Sequence, residues 1–188
     1  MQNKENSVEE IPGLFIIEDF ITNEEEKSLL SYIDKEPWSN ALKRRTQHYG
    51  YEYNYQTRSL PQKLGDLPKW TNKVVKDLVN KKIFTSVPTQ MIVNEYQPGQ
   101  GISKHIDQPR IFGPIVASLS LGSSCVMTFE NKIIEYDMLL KPKSLTVLTE
   151  KSRYEWYHSI PARKSDMIEE NDISRTRRVS LTFRSVVN

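Results

Sequence analysis

The sequence predicts a mainly β protein in which an antiparallel sandwich or barrel carries flanking helices. Three observations support this fold class. From residue 89 onward, short runs rich in β-branched and aromatic residues follow one another at close spacing. Turns with Pro, Gly, Asn or charged residues separate these runs, and no helical pattern lies between them. Two amphipathic helical patterns occur earlier in the chain, so we expect the helices to pack outside the sheets.

The individual elements can be assigned in chain order. Residues 13–21 are predicted to form a short strand. Residues 22–34 are predicted to form a helix, because a capping threonine and three glutamates precede apolar residues at helical spacing. Residues 67–82 carry a second helical stripe of apolar side chains. The later strands are predicted in TQMIVNEYQ, IVASLSLGS, CVMTFEN, KIIEYDML, SLTVLTE and RVSLTFRSV.

The composition indicates one globular domain. The chain has 188 residues, of which 37% are hydrophobic, and this length can bury a core. We expect residues 1–11 to be flexible and residues 12–188 to form a single domain. The net charge of +2 does not by itself indicate nucleic acid binding, although basic clusters occur at 43–45 and 175–178.

The cysteine content and the polar N-terminus indicate a cellular compartment. The single cysteine, Cys125, excludes an intramolecular disulfide and a cysteine-based zinc site, and it fits a reducing environment. The N-terminus has no apolar signal core, and no apolar run is long enough to span a membrane. We therefore expect a cytoplasmic or nuclear protein without a membrane partner. Since the sequence shows no oligomer interface, we expect a monomer.

A histidine and a carboxylate stand one residue apart in GQGISKHIDQP. On an extended segment, His105 and Asp107 point to the same face and can bind one ion if that face lines a cavity. His158 can complete the set, since strands distant in sequence face each other in a sandwich. Two imidazoles and one carboxylate leave three open positions on an octahedral ion, which is the pattern of non-haem Fe(II) oxygenases. The alternative is three unrelated polar residues, because His-x-Asp is common by chance.

The last predicted strand, RVSLTFR, separates polar from apolar side chains. Alternation places four polar residues on one face, namely Arg178, Ser180, Thr182 and Arg184. If this face lines the cavity, the two arginines form bidentate forks suited to a dicarboxylate such as 2-oxoglutarate, the electron source for an Fe(II) site. Asn94 and Tyr96 alternate in the same way and can donate hydrogen bonds to the same acid. The alternative is a solvated edge strand.

Four motifs in this order resemble the AlkB family of Fe(II)/2-oxoglutarate dioxygenases, over roughly residues 12–187. The motifs are NEYQPGQGISKHID, VASLSLGS, SRYEWYHSI and RVSLTFR. Within the family, LKRRTQHYGYEYNY, YQPGQGISKHID and SLSLGSSCVMTF are most similar to the dioxygenase domain of the tRNA-modifying homologue. The RNA-binding and methyltransferase modules of that homologue have no counterpart in these 188 residues.

The resemblance implies a double-stranded β-helix, or jelly roll, with helices on one sheet. It implies Fe(II) bound by His105, Asp107 and His158, with O2 as cosubstrate. It implies that 2-oxoglutarate is bound by Asn94, Tyr96, Arg178 and Arg184, with Arg178 pairing with the far carboxylate and with Ser180 and Thr182 on the same wall. Two positions depart from the family. Ser159 replaces a frequent glycine after the distal histidine, and QPRIFG lacks the acid that helps the bacterial repair enzyme to recognise its base.

Residues 38–64 correspond to the family's nucleotide-recognition lid. Enzymes that act on a nucleobase extrude it and stack it on aromatic side chains, while basic residues bind the flanking phosphates. The candidate substrate contacts are Trp38, Lys43, Arg44, Arg45, Tyr49, Tyr51, Tyr53 and Tyr55. We expect the four tyrosines to share one side of a strand. The alternative is that these aromatic residues belong to the core, which is commoner for aromatics that alternate on a strand.

The expected function is oxidative demethylation of alkylated bases of the 1-methyladenine and 3-methylcytosine type in single-stranded DNA or RNA. This reaction releases formaldehyde and succinate. A second hypothesis is hydroxylation of a modified tRNA wobble uridine, or of a protein side chain. A third is a non-catalytic jelly-roll binding module. The complete set of ligands and the presence of both arginines argue against the third hypothesis.

Overall fold

Two antiparallel sheets that face each other form the body of the protein. The computed structural model describes residues 5–53 and 62–187. The strands are β1 Glu5–Ser7, β2 Leu14–Ile17, β3 Arg45–Tyr49, β4 Tyr51–Glu52, β5 Gln62–Lys63, β6 Gln90–Tyr96, β7 Ile102–His105, β8 Phe112–Gly122, β9 Cys125–Glu130, β10 Glu135–Leu140, β11 Leu145–Leu148, β12 Tyr157–Ile160, β13 Ser165–Ile168, β14 Asn171–Ser174 and β15 Arg178–Val186. The helices are α1 Asn23–Ile33, α2 Asn72–Asn80 and α3 Glu150–Tyr154, with a 3-10 turn at Lys69–Thr71.

The larger sheet has seven strands in the order β1-β2-β11-β8-β15-β6-β3, and the smaller sheet has four in the order β10-β9-β12-β7. Neighbouring strands in both sheets run antiparallel. The hairpins β4-β5 and β13-β14 lie outside the two sheets. Strands that are distant in sequence are therefore neighbours in space, and the expected antiparallel jelly roll is confirmed.

The two faces of the larger sheet have different partners. On β15, the side chains of Val179, Leu181 and Phe183 belong to one buried apolar cluster with residues of α1 and α2. The alternate side chains of β15 point between the sheets, where Phe129 and Leu140 of the smaller sheet lie in a second buried cluster. The helices therefore cover one face of the sheet and leave the other face free to form a cavity.

The first helix begins where its capping sequence predicts. The Thr22 side chain accepts a hydrogen bond from the Glu25 backbone amide at 3.2 Å, and the Glu25 carboxylate accepts one from the Thr22 amide at 2.8 Å. This reciprocal pair satisfies two amides at the helix start. The second helix is shorter than predicted, because the segment after Pro68 forms a 3-10 turn before α2 begins.

Two local features add detail to the sequence-based expectations. Within residues 1–11, β1 pairs with β2 along three residues. The expected single strand of tyrosines is interrupted at Gly50, which has a φ of +77° and whose α-carbon lies so close to the Thr89 carbonyl that no side chain fits. Tyr49 and Tyr53 therefore belong to different surroundings, and Tyr55 lies outside the described residues.

A buried carboxylate, Glu95 of β6, connects β3 to the segment before β15. It accepts hydrogen bonds from Arg45 Nε at 2.6 Å and from Arg177 Nε at 2.6 Å. Arg177 also forms an ion pair with Asp34 after α1. Burial alone would raise the pKa of Glu95, but the two guanidinium groups hold it below its usual value. The network joins β3, β6, the segment before β15 and the end of α1.

Replacement of Glu95 by Gln is expected to lower the free energy of unfolding by about 2 kcal/mol at neutral pH, because two arginines lose a charged partner. The folded-state pKa is depressed, so this stabilisation is present above the ordinary carboxyl pKa of 4.5. It is lost as the pH falls through the folded-state pKa. Denaturant unfolding is measured from neutral pH down to about pH 3, and the free energies of unfolding of the two proteins should approach each other as the pH falls.

The matched control is Asp77→Asn, which removes one of the two carboxylate partners of the exposed Lys73 on α2 and leaves Glu25 as the other. Because exposed pairs contribute little, its free energy of unfolding should change much less than that of Glu95→Gln. Equal effects of the two substitutions would show that the Glu95 network does not stabilise the fold.

Candidate active site

The three predicted metal ligands lie together between the sheets. One ligand atom from each of His105, Asp107 and His158 lies within 4.8 Å of the others. The Nε2 atom of His158 is 3.6 Å from a carboxylate oxygen of Asp107, and the centroids of the two imidazole rings are 4.3 Å apart. Two nitrogen donors and one oxygen donor on one side of a point form the donor set of a facial Fe(II) site.

Strand pairing explains why ligands 53 residues apart in the chain meet. His105 of β7 and His158 of β12 are direct partners across the smaller sheet. The two strands approach closely because Gly101 has no side chain, and a Cβ there would lie 2.1 Å from the Ile160 carbonyl oxygen. Asp107 follows β7 by two residues, so it faces the same side as His105, as the i, i+2 spacing predicts.

The surroundings of the triad favour the protonation states that a metal requires. Burial, together with the neighbouring His105, lowers the pKa of His158 to about 3, although Asp107 acts in the opposite direction. Burial would raise the pKa of Asp107, but Arg184 and the two imidazoles lower it well below its usual range. His105 Nδ1 lies 2.7 Å from the Ser103 carbonyl oxygen, so Nε2 is the ring nitrogen left to bind a metal.

The two arginines of β15 have different partners. Arg184 forms an ion pair with Asp107, and its Nε donates to the side-chain oxygen of Gln90 at 2.8 Å. Arg178 donates one hydrogen bond, from Nη2 to Ser120 Oγ at 2.8 Å. The Nε and Nη1 atoms of Arg178 are buried without a partner among the described residues.

The unsatisfied nitrogens of Arg178 fit a carboxylate ligand. A buried guanidinium with two unpaired N–H groups is costly, and a carboxylate that accepts from one of them lowers this cost. The Tyr96 ring lies 5.3 Å from the same guanidinium, and Asn94 lines the cavity beside it. These residues therefore fit the far carboxylate of 2-oxoglutarate, and the donor set of the triad fits the metal that this cosubstrate chelates.

The ligands and the arginines border one cavity of about 630 Å³. Its lining includes every residue that the sequence assigned to the metal or to 2-oxoglutarate, namely Asn94, Tyr96, His105, Asp107, His158, Arg178, Ser180, Thr182 and Arg184. The lining contains cationic side chains at Arg44 and Lys104 as well. Among the described residues that line the cavity, the only carboxylate is that of Asp107.

Two of the predicted substrate contacts line this cavity. Arg44 donates from Nε to Asn94 Oδ1 at 2.8 Å, which places the guanidinium beside the proposed 2-oxoglutarate position. Tyr53 lies at the cavity wall with its ring centroid 5.8 Å from that of Phe112. The lid continues into residues 54–61, which lie outside the described part of the chain.

The other predicted substrate contacts face elsewhere. The Arg45 guanidinium lies 4.7 Å from the centre of the Trp38 ring, on the outer side of β3. Tyr49 packs edge-on against Trp70, with centroids 5.7 Å apart, and Tyr51 belongs to the β4-β5 hairpin. Trp38 and Tyr49 pack against the apolar cluster under the helices, as the core alternative for the aromatics anticipated. Lys43, an exposed residue, is likewise absent from the cavity lining.

Sequence reasoning did not assign a role to two rim residues. Tyr157, adjacent to a metal ligand, is 44% exposed and lines the cavity. Lys104 lies 5.0 Å above its ring and forms an ion pair with Glu130 at 2.5 Å. Both residues stand next to a metal ligand in the sequence, and this position is the signal that could have identified them. Ser159 is not among the residues with positive φ, so the replacement of glycine there causes no backbone strain.

Comparisons with known proteins agree with this site. A family model of the 2OG-Fe(II) oxygenase superfamily matches residues 13–184. The Arabidopsis thaliana protein named "Alkylated DNA repair protein ALKBH8 homolog" is 36% identical over 205 residues, which cover 95% of this chain and 59% of that protein. The chain belongs to the AlkB family of this superfamily.

Two further comparisons place this AlkB-family chain among its relatives. The Mus musculus protein named "tRNA (carboxymethyluridine(34)-5-O)-methyltransferase ALKBH8" is 33% identical over 202 residues, which cover 93% of this chain and 30% of that protein. The chain thus corresponds to less than two thirds of either relative. The structure of OsALKBH1 superposes with a TM-score of 0.74 at 16% identity, over 97% of this chain and 100% of that one, and supports the fold. No helix within the described ranges is long and apolar enough to cross a membrane.

Substitution of a metal ligand is expected to abolish turnover while the fold remains intact. His105→Ala or Asp107→Ala removes a donor atom at a cavity wall, so 2-oxoglutarate consumption should fall to background and Mn(II) binding should be lost. The matched control is Asp172→Ala, which removes an exposed carboxylate of β14 that is absent from the cavity lining. Retained activity in either ligand variant would contradict the metal assignment.

Substitution of Arg178 is expected to raise the 2-oxoglutarate requirement. Arg178→Ala leaves the far carboxylate without its charged partner, and KM for 2-oxoglutarate should rise by about tenfold or more. The control is Arg110→Ala, since Arg110 is exposed and absent from the cavity lining. An unchanged KM in Arg178→Ala would assign the carboxylate to another residue.

Proposed function

We propose that this AlkB-family chain is an Fe(II)/2-oxoglutarate-dependent hydroxylase of a modified uridine in tRNA, of the carboxymethyluridine class found at position 34. The name of the mouse relative specifies that nucleoside and that position. Its 33% identity over 93% of this chain supports a related substrate. Protein side chains remain a different target class, for which the cavity offers no specific feature.

The charge of the cavity carries this proposal. Bases of the 1-methyladenine and 3-methylcytosine type are cations at neutral pH, and a buried cation requires a nearby anion. The only carboxylate in the described lining, Asp107, is already paired with Arg184 and belongs to the metal site. Arg44 and Lys104 also line the cavity, and Lys104 is paired with Glu130 at the rim. A neutral or anionic base, such as a uridine with a carboxymethyl-derived group, suits this environment better than a cationic base.

The residues of the chain hold the reactants and exclude water. His105, Asp107 and His158 would hold the metal, and Arg178 would bind the far carboxylate of 2-oxoglutarate. Arg184 keeps Asp107 ionised and oriented. When bound, Fe(II), 2-oxoglutarate and O2 would supply the chemistry that turns a substrate C–H bond into C–OH, with succinate and CO2 as the coproducts. Apolar lining residues shield the reacting carbon from water, and these include Ile92, Phe112, Met127 and Leu148.

Oxidative demethylation of alkylated bases, with release of formaldehyde, is the second candidate. The name of the Arabidopsis relative, 36% identical to this chain, refers to alkylated DNA repair. The metal site and the cosubstrate would be the same, and the difference would lie in the base that enters. An N-methyl group hydroxylated at the same site gives an unstable hemiaminal that loses formaldehyde, whereas a hydroxylated carboxymethyl carbon keeps its oxygen.

The decisive experiment is mass spectrometry of nucleosides after turnover with Fe(II), ascorbate and 2-oxoglutarate. One substrate is tRNA with carboxymethyluridine or its methyl ester at position 34, and the others are single-stranded RNA and DNA with 1-methyladenine or 3-methylcytosine. Gain of one oxygen on the uridine supports the proposal. If only the methylated bases react, with release of formaldehyde, oxidative demethylation replaces the proposed uridine hydroxylation. His105→Ala is the inactive control for both.

The lid assignment is tested by two tyrosines. Tyr53 lines the cavity, so Tyr53→Ala is expected to raise KM for the nucleic acid by about tenfold through loss of stacking. Tyr49 packs on Trp70 under the helices, so Tyr49→Ala is expected to lower the melting temperature and leave this KM nearly unchanged. The same KM change in both variants would remove Tyr53 from the nucleotide site.

A further inference from the structure

One arginine of the motif SRYEWYHSI has no role in the proposed chemistry and is nevertheless fully buried. Arg153 of α3 is 1% exposed. Its guanidinium donates three hydrogen bonds, all to backbone carbonyls of the segment that runs from Asp107 into the first two residues of β8. These run from Nη1 to Asp107 at 2.7 Å, from Nη2 to Phe112 at 3.0 Å and from Nε to Gly113 at 3.1 Å.

Burial of this cation demands a compensating structure. Burial lowers the pKa of Arg153, and the nearby Asp107 acts in the opposite direction. Within the described chain, no carboxylate is among its hydrogen-bond partners, so carbonyl groups satisfy it. The benefit is reciprocal, because the loop turns three carbonyl groups inward and each buried carbonyl needs a donor. An apolar residue would fill the same space without satisfying any of them.

The first turn of the helix that carries Arg153 is bonded to the segment before β2. Thr149 caps it, and its hydroxyl donates to the Gly13 carbonyl at 2.9 Å. The Ser152 amide donates to the Pro12 carbonyl at 2.9 Å. Helix α3 ends at Tyr154, and β12 with the ligand His158 begins three residues later. Arg153 is thus attached to a rigid element that leads directly into the strand of the distal histidine.

We propose that Arg153 is a positioning residue that locks the Asp107 loop to the strand of His158 and thereby sets the spacing of the metal ligands. Arg184 fixes the carboxylate end of Asp107, and Arg153 fixes the backbone of the same residue. The two ligand segments pair through β7 and β12 only as far as His105, and Asp107 lies beyond that pairing. Arg153 supplies the missing connection. The inference holds for any substrate, because it concerns the metal site alone.

The test compares Arg153→Lys and Arg153→Met with the unaltered protein. Lysine keeps the charge but has one nitrogen in place of the three that bind the loop, and methionine keeps much of the volume without a donor. Mn(II) affinity, measured from free Mn(II) by electron paramagnetic resonance, should fall by about tenfold or more in both variants. Melting temperatures are recorded on the same samples. Unchanged Mn(II) affinity in a folded Arg153→Lys protein would overturn the proposal.

The matched control is Arg175→Lys, a second buried arginine whose guanidinium binds Asp166 and the Pro161 carbonyl. None of its hydrogen bonds reaches a metal ligand. It should lower the melting temperature while Mn(II) affinity stays within about twofold of the unaltered protein. An equal loss of affinity in Arg175→Lys would attribute the effect to general destabilisation and overturn the positioning role.

If the Arg153 variants do not fold, hydrogen–deuterium exchange of the unaltered protein tests whether Arg153 couples the Asp107 segment to α3. Addition of Mn(II) should increase amide protection in residues 107–113 and in residues 150–154 together, because the arginine couples the two segments. Protection that increases in 107–113 alone, with 150–154 unchanged, would show that α3 is independent of the metal site and would overturn the proposal.

Discussion

The burial of one carboxylate, Asp107, is the constraint on which the rest of the site depends. A carboxylate away from water either takes up a proton or is compensated by positive charge. Arg184 compensates the carboxylate, and Arg153 binds the carbonyl of the same residue. An ionised carboxylate in this position can share a metal with neutral imidazoles, and burial keeps His158 neutral. The buried carboxylate therefore accounts for the place of Arg184, and the carbonyl of the same residue is one of the three that Arg153 binds.

Strand alternation gives neighbouring residues of the same type different tasks. Arg44 lines the cavity, whereas Arg45 binds Glu95 on the opposite face of the sheet edge. Arg177 binds Glu95 too, and the next residue, Arg178, lines the cavity. Arg44 and Arg178 are thus each one peptide unit away from the ion-pair network around Glu95. The network restrains the backbone, so the guanidinium groups in the cavity are held in place before any ligand binds, which reduces the entropic cost of binding.

Local spacing made part of this structure predictable. The i, i+2 rule placed His105 and Asp107 on one face, and the same rule placed the polar side of β15 in the cavity. Features that depend on distant contacts were not predictable in this way. The basic pair at 44–45 resembles a phosphate-binding patch in sequence. In the structure, however, Arg45 is bound to Glu95 and does not line the cavity. Arg153 is one of 26 basic residues, and only the packing of α3 against the Asp107 loop reveals its burial.

Under the proposed function, the distribution of charge separates the attraction of a polyanion from the selection of its base. Arg44 lines the cavity and donates to the amide oxygen of Asn94, and a guanidinium there suits the phosphate groups of any nucleic acid. Asp107 is neutralised by Arg184, and Arg178 has two donors without a partner among the described residues. The far carboxylate of a dicarboxylate cosubstrate would accept a hydrogen bond from Arg178. Among the described lining residues, a base that enters this cavity would then meet no unpaired carboxylate, so its own charge would decide whether it is accepted.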